Sequence, residues 1–76
     1  MREGLLWFDD SGDALAGKVG RATTRYRQKF GQAPNACYVH PSALGESGSA
    51  AVAGVRILPL GTVLRNHFWL GREETR

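Results

Sequence analysis

This chain of 76 residues holds one cysteine, one methionine and three prolines, and it carries no long hydrophobic run. Each scarcity excludes something. The lone Cys37 permits no internal disulfide, so a fold without covalent staples in a reducing compartment is expected. A membrane-spanning helix needs about 20 apolar residues, and the stretch Leu5 to Phe8 is too brief even for the core of a signal peptide. A cytoplasmic protein with no membrane partner is therefore expected. Charge of one sign is also scarce, the formal net charge being +3.

Chemical signatures are equally thin. Gly17-Lys18-Val19-Gly20 matches a GxxG pattern similar to the backbone-clamping loop of a KH domain, but no full helix precedes it, and no GK[ST] completes a P-loop. Asp9 and Asp10 are adjacent and diverge, a poor geometry for a general acid and base. Cys37, His40 and His67 are the only soft metal ligands, and on a strand positions 37 and 40 leave opposite faces. A nucleophilic pair of Cys37 with a histidine meets the same objection, and Ser42, Ser47 and Ser49 lie in no nucleophile elbow. No catalytic residue, metal site or cofactor is assigned, and a non-enzyme is expected.

What is present is one strong periodicity. Within Asp13 to Phe30, Leu15, Val19, Ala22, Tyr26 and Phe30 recur at the spacing of one helix face. At roughly 100° per residue they fall within a wedge of about 80°. Asp10, Ser11 or Asp13 offers an N-cap, and Gly31 followed by Pro34 closes the helix. Gly17 and Gly20 project away from the wedge, each costing about 1 kcal/mol relative to alanine.

Four apolar runs flank the helix. Gly4 to Phe8 has no alternation and reads as a strand covered on both faces. Ala36 to Val39 ends at His40-Pro41, Val55 to Leu58 ends at Pro59, and His67 to Leu70 is the last. The expected fold is a single small α/β (α+β) domain over 1–76, ordered β-α-β-β-β, with one helix on a mixed sheet of three or four strands. The first helix connection favours a parallel crossover, and the last two strands are close enough for a loose hairpin. The segments 42–54 and 71–76 read as a flexible loop and a frayed tail.

The string YRQKFGQAPNACYVHPSAL, with VRILP and HFWLG after it, resembles short bacterial proteins of uncharacterised function, a likeness that implies no activity. A local pattern is similar to part of an HK97-type phage capsid subunit. It comprises Pro34, Val39-His40-Pro41, Gly54-Val55-Arg56-Ile57 and Phe68-Trp69-Leu70-Gly71. The long arm and spine helix of that family are missing, so this likeness implies only the layout of helix and strands.

Two surfaces could carry function. A helix covers one face of a sheet, and neighbouring strand residues face opposite ways. One of Trp7 and Phe8, and one of Phe68 and Trp69, must then lie on the uncovered face, where Tyr38 adds to the aromatic surface. The expected partner is a second copy or another protein, in an interaction module that is a homo-oligomer or accessory subunit. The alternative is a nucleic acid, whose phosphates would meet the helix stripe of Lys18, Arg21, Arg25 and Lys29.

Overall fold

The computed structural model describes residues 4–45 and 50–73. The apolar wedge forms as the spacing predicts, on helix α1 (Leu15–Phe30). Val19, Ala22 and Tyr26 are buried, with Leu15 and Phe30 packed at the margins. Gly31 ends the helix in the left-handed conformation (φ 77°) and donates its N–H to Arg27 O at 2.8 Å.

The helix begins later than the sequence suggests, and none of its three candidate caps is used. Ala14 is the N-cap residue, with no side-chain cap bond. The turn before it is engaged elsewhere. Asp9 accepts the Ser11 N–H at 3.0 Å and Arg21 Nη2 at 2.6 Å, while Asp13 accepts Arg21 Nη1 at 3.0 Å. Arg21 thus engages the Asp13 carboxylate and the Ser11 hydroxyl, two of the three candidate caps.

Against the helix lies a mixed sheet of five strands: β1 (Gly4–Phe8), β2 (Ala36–Val39), β3 (Ala50–Val52), β4 (Val55–Pro59) and β5 (His67–Gly71), in the order β1-β5-β2-β4-β3. The chain is thus one small α+β domain with one more strand than expected. A 3₁₀ turn, Pro41–Ala43, follows β2.

Four expectations are corrected here. First, the last two strands are not a hairpin: β4 pairs with β2 and β3, whereas β5 lies between β1 and β2 and is antiparallel to both. The connection 60–66 is long enough to step over the end of β2, roughly 10 Å at ordinary strand spacing. β1 and β2 are consequently parallel but not adjacent. Second, β1 is an edge strand. Its apolar run is not covered on both faces, and Leu6 and Phe8 are 59% and 56% exposed.

Third, the segment expected to be a loop contains β3. Ala53 (φ 49°) and Gly54 (φ 83°) form a two-residue left-handed turn between the paired Val52 and Val55. Residues 46–49 of that segment lie outside the described residues. Fourth, the tail is anchored at its start. Gly71 belongs to β5, and the Glu73 N–H donates to Asn35 Oδ1 at 2.6 Å. The rest of the expected tail, 74–76, lies outside the described residues.

The core sits between α1 and the sheet face bearing Cys37, Val39, Val55, Ile57, Phe68 and Leu70. β5 takes an interior place, paired along both edges with β1 and β2; its Phe68 and Leu70 enter the core and Trp69 turns to the other face.

Gly17 and Gly20 lie within α1, exposed, so the GxxG pattern is helix and not a clamping loop. A Cβ at Gly20 would meet no atom within 4 Å. Gly20→Ala should therefore stabilise the fold by up to about 1 kcal/mol. Thermal denaturation should show it as a rise in Tm of roughly 4–8 °C per kcal/mol for a domain of this size.

Candidate functional site

Strand register decides which aromatic residues are available. Leu5 and Trp7 pack on the core, so Leu6 and Phe8 take the opposite face of β1. On β5, Phe68 is 3% exposed and belongs to the core, which turns Trp69 outward. Of the five aromatic candidates, Trp7 and Phe68 therefore lie on the helix side, and Phe8, Tyr38 and Trp69 on the open side.

The pairs Leu6↔Trp69, Trp69↔Tyr38 and Tyr38↔Leu58 join end to end. They form a continuous belt of Leu6, Trp69, Tyr38 and Leu58 straight across four strands. Phe8 stands beside the belt with its ring 5.0 Å from that of His67. The indole of Trp69 lies over Gly4, where an added Cβ would sit 2.7 Å from the ring. Glycine is needed there for close approach. Among the described residues the charged groups beside Tyr38 in the belt are Arg56 and Glu73, and the Tyr38 hydroxyl donates to Glu73 Oε1. That bond, with partial burial, raises the Tyr38 pKa.

The basic stripe is uneven. Arg21 is bound by Asp9 and Asp13, Lys29 lies 5.4 Å from the centre of the Phe30 ring, and Arg25 bonds Gln28 at 3.5 Å. Lys18 faces a cavity described below. Hydrogen bonds from Ser11 and Arg21 hold the Asp9 carboxyl far below its ordinary range.

The third grouping, Cys37 with His40 and His67, separates. Cys37 is fully buried in the core, and burial pushes its pKa up to about 12. No cluster of three or more metal-ligating side chains occurs among the described residues.

The two histidines, in contrast, come together. One step beyond the pair Val39↔Phe68, the β2–β5 register sets His40 opposite His67. Both line a cavity of about 400 Å³ at the strand ends. His40 Nδ1 accepts the Ser42 N–H at 3.1 Å, capping the 3₁₀ turn, and lies 2.8 Å from Ser42 Oγ. Nothing in the spacing of positions 40 and 67 signals this meeting, because it depends on β5 entering between β1 and β2.

No family model, curated protein or solved structure matches the chain. Among the described residues, no helix is long and apolar enough to cross a membrane.

Two outcomes follow from this geometry. The thiol of Cys37 should react with a disulfide reagent at least about 100-fold more slowly in the native protein than in denaturant; timed labelling at pH 8 checks this. Asp9→Asn should flatten the acid limb of stability. A depressed carboxyl contributes fully above its ordinary value of 3.8 and loses that contribution as the pH falls below it. Urea midpoints at pH 7, 4 and 2 should therefore fall more steeply for the native chain than for the variant.

Proposed function

We propose that the protein is a non-catalytic interaction module that pairs with a second copy of itself through the open face of its sheet, in a reducing compartment such as the cytoplasm. The observation that carries this reading is the belt of Leu6, Trp69, Tyr38 and Leu58 on the face away from the helix, with Phe8 beside it; Leu6 and Phe8 are exposed, and Trp69, Tyr38 and Leu58 are half-buried. Burying a large apolar side chain fully is worth about 1.5–3 kcal/mol, so Leu6 and Phe8, 59% and 56% exposed, together leave about 2–3 kcal/mol unused.

A second copy suits the surface for two reasons. Among the described residues the belt is bordered by one cation, Arg56, and one anion, Glu73, a pattern that can complement itself about a two-fold axis. An interface of ordinary size takes about 800 Å² from each partner. The broad side of a molecule measuring 30 × 27 × 21 Å offers an area of that order. Phosphate contact through the helix stripe has weaker support, because Arg21 is already held by two carboxylates.

Analytical ultracentrifugation at micromolar to millimolar concentration tests the proposal. The expected species has twice the monomer mass of 8.3 kDa. Leu6→Lys and Trp69→Ala should shift the equilibrium to monomer by at least about tenfold in Kd, since a single well-buried anchor contributes upward of 1 kcal/mol. Thr24→Lys, on the exposed helix surface, should leave it unchanged. A chain that stays monomeric at millimolar concentration overturns the proposal.

A further inference from the structure

The cavity at the strand ends has a different character from the apolar belt, which it adjoins through the contact of His67 with Phe8. It lies where the start of α1, the end of β2 with its 3₁₀ turn, and the start of β5 converge. Its lining includes Lys18, Arg65, His40 and His67, and among the described residues Asp13 is its one carboxylate. Asp13 is bound to Arg21 at 3.0 Å and shares that single positive charge with Asp9, so one net negative charge stands against the two cations of the lining. Among the described residues, neither Lys18 nor Arg65 has a carboxylate within 4.0 Å. Two cations on separate elements thus border one concave space, and among the described residues no cluster suited to a metal ion competes for it.

The histidines add donors and acceptors of fixed sense. A backbone N–H can only donate, so His40 Nδ1 is an acceptor, and in the neutral ring its proton sits on Nε2. A carbonyl can only accept, so His67 Nδ1 donates to Arg65 O at 2.8 Å. That leaves His67 Nε2 as an acceptor in the neutral ring. Ser42 and Asn66 complete the polar lining. Such a wall matches hydroxyl groups, which both donate and accept.

We infer that this cavity binds a small phosphate monoester carrying hydroxyl groups, a sugar phosphate in chemical class. Lys18 and Arg65 take the phosphate, and the imidazoles, Ser42 and Asn66 meet the hydroxyls. A space of about 400 Å³ holds more than a bare phosphate and lies within the size range of small-molecule sites.

Isothermal titration at low salt with ribose 5-phosphate, inorganic phosphate and ribose tests the inference. Ribose 5-phosphate should bind saturably, at least about tenfold more tightly than inorganic phosphate, because both parts of the ligand are held. Lys18→Gln and Arg65→Gln should each weaken it by at least about tenfold, the usual consequence of losing a charge-assisted bond. Lys18→Arg should retain binding, which separates loss of charge from loss of fold. Arg27→Gln, which removes one charge from the exposed last turn of α1, should change nothing. Absence of saturable binding at millimolar ligand, or equal weakening by Arg27→Gln, overturns the inference.

Discussion

A five-stranded sheet has two faces, and among the described residues α1 is the one helix available to cover them. The rest of the structure follows from that imbalance. On the covered side, the wedge of Val19, Ala22 and Tyr26 meets Phe68, Leu70, Cys37, Val39, Ile57 and Val55; no polar or charged residue is buried among the described residues, although Trp7 Nε1 is buried there without a partner. On the other side, strand alternation inevitably turns out the neighbours of those residues. Leu6, Trp69, Tyr38 and Leu58 are therefore consequences of the core as much as features of the surface. In a domain this small, the core leaves little margin for apolar surface without a role.

The arrangement of strands resolves a conflict between length and apolarity. β5 and β2 supply side chains to both faces and occupy interior positions; β1 and β3 are the edges. β1 at the edge leaves Leu6 and Phe8 exposed, and no charge or proline between Gly4 and Phe8 protects that edge from pairing. The Asp9–Arg21–Asp13 network then ties the exit of β1 to the second turn of α1. This fixes the helix start at the cost of the usual side-chain cap.

Much of this was legible in the residues themselves. The 3.6-residue repeat of α1, its glycine terminus and four of the strands follow from local patterns. Strand alternation also required one member of each adjacent aromatic pair to face away from the helix, without saying which. Register supplies that choice: Phe8 and Trp69 face out, Trp7 and Phe68 face in. What local patterns did not contain was strand order. The insertion of β5 between β1 and β2 depends on the reach of the segment 60–66 and on pairing between distant segments. β3 escaped notice because its turn places Ala53, not asparagine or glycine, at the first left-handed position. The cavity shared by His40 and His67 arises from the same non-local pairing, so nothing in their spacing announced it.

The central claim is that one side of the sheet is sealed by the helix while the other meets solvent until a second molecule covers it. Hydroxyl-radical footprinting at two protein concentrations reads both sides in one experiment. In dilute solution Leu6, Phe8 and Trp69 should be oxidised readily and Tyr26 and Phe68 protected; at high concentration the first three should become protected as well. Protection of Phe8 and Trp69 in dilute, monomeric protein would contradict the account.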